Sequence, residues 1–403
     1  MEGGNVSKLR SASTSEDWFR SFLSLTVLSG ITNLAYFCYL IVSLVLEGKG
    51  FSPSRVGLLA TLPFFVRALI GPWFGKLADN TGHRAMMVVG VLLQAAVCAA
   101  YMLADGPLTW WGLRILHGVA WTMLACAIDG QAAKIIPPQQ GPMAWGILTA
   151  TNLATSSAGP VLGEALLALG GDRTLFTATA LVCLLGLPFA LAANAGRVIG
   201  VPGTLGLARM PHLVLDRRFF APIVVAGLAG GNLAVQVFIP LLVGHGAVTS
   251  PSFFYVPFTV MAVVIKLFSG PLSRRLSETA AFVIGALFIG AGAAVPALES
   301  NTALILAGML NGVGVGIVFP TIFSNVTSRT VQGEAGFVLA LTTSLMFLAT
   351  FGGGAAFGWV QAAYSIRSVF LTGGGIAVCV AMLAVLFRYK PDPQADRQPM
   401  VDV

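Results

Sequence analysis

The sequence predicts an all-α integral membrane protein, with twelve transmembrane helices grouped as two pseudo-symmetric six-helix bundles. Three observations predict it. Of 403 residues, 56% are hydrophobic and only 10% are charged, with a mean hydropathy of +0.84, whereas a soluble globule carries about 25% charged residues. Apolar runs long enough for a bilayer core, which takes about 20 residues per helix, recur along the chain. Short motifs of the first half are echoed in the second at a nearly constant offset.

In order, the runs fall near 19–46, 53–77, 84–105, 107–132, 142–169 and 173–196, then near 219–244, 250–272, 277–298, 302–327, 333–361 and 366–388. The break between the two sets holds Gly200, Pro202, Gly203, Arg209, His212, Arg217 and Arg218, a composition that reads as a linker. The organisation is a tail 1–18, a six-helix bundle 19–196, a linker 197–218, a second bundle 219–388 and a tail 389–403. The first tail, with Lys8 and Arg10, runs straight into a full-length span and is expected to be retained rather than cleaved.

Most of the 23 Lys and Arg fall on the side of the N-terminus, among them Lys76, Arg84, Lys134, Arg274, Arg275 and Arg329. Lys49, Arg55, Arg173 and Arg367 fall on the other. This bias places both termini in the cytoplasm and the protein in an inner or plasma membrane, and it accounts for most of the net charge of +7. No basic patch with interleaved aromatics points to nucleic acid. Cys38, Cys98, Cys126, Cys183 and Cys379 lie inside apolar runs without a C-x-x-C pair, so neither a metal site nor a disulfide framework is expected. The echoes are Gly270-Pro271-Leu272-Ser273 for Gly75-Lys76-Leu77-Ala78, Leu310-Asn311-Gly312-Val313 for Leu116-His117-Gly118-Val119, and Asn232 for Asn33.

Between the second and third runs lies Gly75-Lys76-Leu77-Ala78-Asp79-Asn80-Thr81-Gly82-His83-Arg84. Gly75 and Gly82 allow a tight turn, Asp79 sits at a helix end where its carboxylate can meet a helix N-terminus, and Arg84 adds a cation. The segment resembles the G-x-L-A-D-x-x-G-x-[RK] loop of the major facilitator superfamily. The resemblance implies a transporter that rocks between inward-open and outward-open states, with this loop as a latch between its halves. Asp129, closing the fourth run, is then the expected partner of Arg84, or else a solvated helix-end charge.

Arg114-x-x-His117-Gly118 resembles the R-x-x-[QH]-G signature of the family's fourth helix, whose arginine is linked to proton coupling. A guanidinium inside a span must face a partner or a cavity. Arg114 and Glu164 lie at matching depths, Arg114 roughly 10 Å from the far end of its helix at 1.5 Å per residue. The sequence therefore predicts an Arg114–Glu164 ion pair, with His117 on the same face by i, i+3 spacing. Either Glu164 exchanges protons when a helix movement separates the pair, or the pair is a static brace. Ala158-Gly159-Pro160-Val161-Leu162-Gly163-Glu164 resembles the G-P-x-x-G-G element in helix five of drug and proton antiporters. Gly159 and Gly163 permit close helix contact and Pro160 a kink; Glu164 stands where that element has its last glycine.

Polar groups within the other spans mark a candidate substrate cavity: Asn33, Tyr36, Arg67, Asn232, Gln236, Tyr255, Lys266 and Asn311. The leading expectation is a secondary transporter that works by alternating access, exporting a small amphipathic organic molecule in exchange for protons. It needs a proton gradient and no cofactor, and it is expected to act as a monomer in the bilayer. Two readings stay open beside it: proton-coupled uptake of an organic anion or metal-chelate, and a transporter-like receptor or assembly protein. No Walker A segment, H-E-x-x-H motif or intramembrane Asp pair supports ATP-driven transport or an enzyme.

Overall fold

The computed structural model describes residues 3–137, 140–193, 217–268, 275–329 and 335–386. The tail after 386, the linker up to 216, the echo Gly270 to Arg274 and the side chain of Asp79 lie outside the described residues.

Among the described residues, ten helices are long and apolar enough to cross a membrane. One of them, Met143–Ala192, is 50 residues long and leaves helical geometry at Gly170 and Gly171, where Gly171 has φ 68°. A further apolar helix, Ser252–Leu267, has 16 residues. Dividing the first and adding the second gives the twelve spans the sequence predicts.

We number them α1 (Gly3–Phe37, continued to Gly48), α2 (Pro53–Thr81), α3 (His83–Ala100), α4 (Pro107–Ile135), α5 (141–169) and α6 (172–184, continued to Ala192). The second half holds α7 (Arg217–Gln236, continued to Gly244), α8 (Ser252–Leu267), α9 (Glu278–Ala294), α10 (Asn301–Arg329), α11 (Ala335–Ala363) and α12 (Ile366–Leu386). Helix α1 begins well before the predicted span edge at 19, and its apolar part starts at Trp18.

The two halves break their first helix at equivalent places. α1 tightens into a 3-10 turn at Cys38–Ile41, just past Asn33, and α7 turns at 237–240, just past Asn232. The α1 turn lies where α5 comes closest. A Cβ at Gly159 would stand 2.6 Å from the Phe37 carbonyl carbon, and one at Gly163 would stand 2.7 Å from the Cys38 oxygen, so only glycine admits this backbone-on-backbone contact.

Helix α4 is fixed to α2 by a lost hydrogen bond. Pro63 lies inside α2 and has no N–H, which frees the carbonyl four residues earlier, that of Leu59. In lipid no water can satisfy it. Arg114 does so, donating from Nε to Leu59 O at 2.8 Å and from Nη2 to Ala60 O at 2.7 Å. One turn on, Gly118 lets the helices touch, since a Cβ there would meet Pro63 Cα at 2.9 Å.

The halves meet toward the face opposite the N-terminus, called here the far face. One continuous buried core joins Val56, Leu59 and Phe64 of α2 to Met346, Phe347 and Phe357 of α11. A separate cluster near the other face, including Ala78, Met87, Ile128 and Ala132, belongs to the first half alone. At the seam a Cβ on Gly57 would overlap the carbonyl oxygen of Gly354, and one on Gly358 would stand 2.7 Å from Pro53 O. Ser157 of α5 is hydrogen-bonded to Thr259 of α8. Toward the N-terminal face α2 leaves Leu69, Trp73 and Leu77 exposed.

Two outcomes follow from this packing. Gly57→Val places a side chain against the α11 backbone, so the far face should stay parted; spin labels at Lys49→Cys and Tyr364→Cys should report a longer distance in the variant, and an unchanged distance would exclude the seam as a backbone contact. Pro63→Ala, ordinarily favourable in a helix by about 3 kcal/mol, restores the N–H that competes with Arg114 for Leu59 O. It should therefore lower rather than raise the thermal midpoint in detergent.

Candidate functional site

The first half carries a polar and aromatic node near mid-membrane. Asn33 on α1 donates from Nδ2 to Ser29 Oγ at 3.1 Å and to Asn152 Oδ1 of α5 at 3.0 Å. Its Oδ1 accepts from Trp121 Nε1 of α4 at 3.0 Å. One amide thus holds three helices and sets the indole plane. Tyr36 stacks on that indole, with centroids 4.0 Å apart and planes within 6°, and Phe64 meets it edge-on at 5.6 Å. Arg67, near the middle of α2, lies over the Trp121 ring at 4.2 Å and over Phe347 of α11 at 5.0 Å. Phe65 and Phe351 face each other across the same seam at 4.7 Å.

The equivalent node of the second half is closed. Asn232 and Asn311 exchange reciprocal amide hydrogen bonds of 2.9 and 2.6 Å, Gln236 donates to Asn311 Oδ1 at 3.5 Å, and Tyr255 donates to Gln236 O at 3.0 Å. All four side chains are buried, and their hydrogen bonds run to one another. Lys266, at the last turn of α8, extends over Phe319 at 5.9 Å.

The predicted Arg114–Glu164 ion pair does not form. Arg114 faces α2, braced on its carbonyls, and its Nη1 is buried without a hydrogen-bond partner. His117, one turn below, sits edge-on to Tyr39 at 4.7 Å and to Tyr36 at 5.2 Å. Its Nδ1 is 3.4 Å from Tyr101 OH and its Nε2 is buried without a partner. Glu164 turns toward the other half: its Oε2 accepts from Ser250 Oγ at 2.7 Å and from the Ser252 hydroxyl. Ser250 Oγ also caps the start of α8 by accepting from Ser252 N at 3.1 Å. Equal depth on two helices says nothing about which way each side chain points, and here the azimuths differ.

A second bridge crosses the far face close by. His245 Nε2, after α7, lies 3.1 Å from Glu47 Oε1, in the last turn of α1. Lys49 meets Asp172 at 3.2 Å within the first half. Glu299, in the turn before α10 with φ 51°, pairs with Arg367 at 2.8 Å, and that guanidinium holds its carboxyl below the usual range.

At the N-terminal face, Gly82 makes the turn between α2 and α3 with φ 94°. Gly75 is helical instead, in open space inside α2. Arg84 and Asp129 are both exposed and, among the described residues, are not paired with each other; the field of Arg67 reaches Asp129. His83 takes the inner place in the turn, its ring so close to α4 that a Cβ on Gly130 would meet Nε2 at 2.5 Å. The acid–base contact expected between α3 and α4 occurs in the second half with the charges exchanged, where Arg329 of α10 meets Glu278 of α9. Sequence reasoning missed Trp121, Asn152, Phe347, Ser250, Ser252, His83 and the Glu47–His245 bridge. The Pro63 signal was present in the sequence, four residues past a carbonyl it must leave free.

The geometry is that of two repeated bundles with a sealed far face and polar groups at mid-membrane, and the comparisons agree with it. The family model for the Major Facilitator Superfamily matches residues 22–354 and 247–402. Multidrug resistance protein MdtH of Shigella boydii is 29% identical over 50% of this chain, and the match spans only 50% of that protein's length. Multidrug resistance protein MdtG of Klebsiella pneumoniae is 23% identical over 85% of each chain. Among solved structures, nucleoside transporter NupG superposes with a TM-score of 0.68 at 13% identity, covering 92% of this chain and 100% of its own. Peptide transporter POT in complex with sulfate gives 0.74 at 15% identity, covering 91% and 94%; these two share the fold. With a family model spanning nearly its whole length, the chain belongs to the Major Facilitator Superfamily.

Proposed function

We propose that this transporter works by alternating access and exports a small amphipathic organic molecule from the side of its termini, the cytoplasm, in exchange for protons. The observation that carries the reading is Glu164, a titratable acid on α5 that clasps two hydroxyls of the opposite half at the sealed far face. A carboxylate accepts from both hydroxyls at once, whereas a carboxylic acid brings a proton that must itself find an acceptor. Proton occupancy and closure of the seam are therefore linked, and a link between ligand and conformation is reciprocal. Arg114 Nη1 and His117 Nε2, both buried and without partners, are the proton-handling candidates within the first half, set apart from the seam. Gly82, Arg84, Asp129 and Asp79 form the proposed latch at the opposite face, which must part when the far face closes.

The names of MdtH and MdtG as multidrug resistance proteins support export, as does the close α1–α5 contact at Gly159, Pro160 and Gly163. The Lys and Arg bias supports cytoplasmic termini and an inner or plasma membrane. No step in the cycle calls for a cofactor or a chemical reaction. Proton-coupled uptake of an organic anion is the second reading, favoured by Arg67 at mid-membrane, which has no ion pair among the described residues.

In sealed proteoliposomes with an imposed pH gradient and a panel of lipophilic cations and organic anions, flux should run against the proton gradient. Glu164→Gln should abolish gradient-driven flux while leaving substrate binding and folding intact. Unchanged, still pH-dependent flux would remove Glu164 from the coupling path, and flux along the proton gradient would favour uptake. The double variant Ser250→Ala, Ser252→Ala keeps the acid and loses its donors. It should shift the protein toward the far-face-open state, seen as slower maleimide labelling of Cys126, which is half-buried beside Gly71 on the N-terminal side.

A further inference from the structure

At Arg67 side chains of both halves touch one formal charge near mid-membrane. Its guanidinium lies over an aromatic ring of the first half, Trp121, and within reach of a ring of the second half, Phe347, two rings that adjoin each other with centroids 5.9 Å apart. Among the described residues no hydrogen bond or ion pair engages its N–H groups. Asp129 lies within range of its field without contacting it. A ring contact leaves the N–H donors of an arginine unspent, and their planar fork is matched to a carboxylate or a phosphonate. A cation in the middle of a span without an adjacent counter-charge is costly, so the arrangement lacks an anion that something must supply.

We propose that Arg67 is the recognition point for an organic anion with an aromatic body: the acid group of the transported molecule takes the guanidinium edge, and its ring packs among Tyr36, Phe64, Trp121 and Phe347. This deepens the transporter reading and rests on it, since it assigns the substrate class of the same site. The two rings against the guanidinium come from α4 and α11, so parting the halves takes Phe347 from it and leaves Trp121, and the anion is held differently in the two states. Such a difference is what a ligand needs in order to move a conformational equilibrium. A cationic substrate would instead meet repulsion from Arg67 and depend on Asp129.

The test uses the purified full chain in lipid nanodiscs and two radiolabelled probes with one ring system and opposite charge, 1-naphthaleneacetate and 2-(1-naphthyl)ethylammonium. Equilibrium dialysis should show the acetate bound at least about tenfold more tightly. Arg67→Gln should erase that preference, and Arg67→Lys should keep it at reduced affinity, as a point charge without the fork. In the wild type, naphthaleneacetate and not the ammonium should protect Arg67 from phenylglyoxal, read by peptide mass spectrometry, which keeps the inference testable if a variant does not fold. Equal binding of both probes, preference for the ammonium, no binding of either, or acetate binding indifferent to Arg67→Gln would each overturn it. Dialysis needs neither gradient nor flux. Loss of proton-driven export with the anion preference intact would sink the export reading alone, and proton-coupled flux of cations without anion preference would sink this one alone.

Discussion

A backbone carbonyl in hydrocarbon has no water to turn to, and much of this molecule is arranged around one such group. Pro63 frees Leu59 O, and Arg114 answers it from the neighbouring helix. Charge-assisted hydrogen bonds of this kind contribute about 1.5–3 kcal/mol each, and leaving a buried guanidinium without them would cost more. The brace fixes α4 against α2, which places Trp121 and Arg67 on facing sides of one aromatic stack. An arginine whose motif suggests proton chemistry thus also has a plain architectural task.

The seam between the halves obeys a different constraint. Glycines at Gly57, Gly354 and Gly358 allow backbones to meet directly, as suits a membrane interface where lipid offers no hydrophobic drive toward association. Contacts between bare backbones form and break without repacking long side chains. The hydroxyl clasp on Glu164 and the Glu47–His245 bridge then stand at the rim, where charge can bias the state without filling the interface.

The sequence made much of the fold legible because lipid leaves few alternatives. Apolar length gave the spans, including the gap between 169 and 173 where α5 and α6 part, and Gly82 gave the turn after α2. The Asn33 and Asn232 echo marked the matched breaks in α1 and α7. What stayed hidden is azimuthal. Arg114 and Glu164 match in depth but face different neighbours, whereas Arg84 and Asp129 are exposed helix-end charges, the alternative the sequence left open. In a helix that is apolar all round, periodicity gives no face to read. Ser250 and Ser252, at the start of the predicted run 250–272, carried no sign of a role until the fold set Ser250 against an acid 86 positions earlier, and Trp121 was one more apolar residue until Asn33 was seen to hold its indole.

The two nodes at mid-membrane share an ancestry in the repeat but not a condition. Asn232 and Asn311 are sealed against each other, with Gln236 and Tyr255 closing the ring of amides, while the Asn33 node ends in a cation that has rings but no counter-ion. On the proposed reading of Arg67, a symmetric frame carries a handed duty: the first bundle registers the cargo, and the second gives it something rigid to move against.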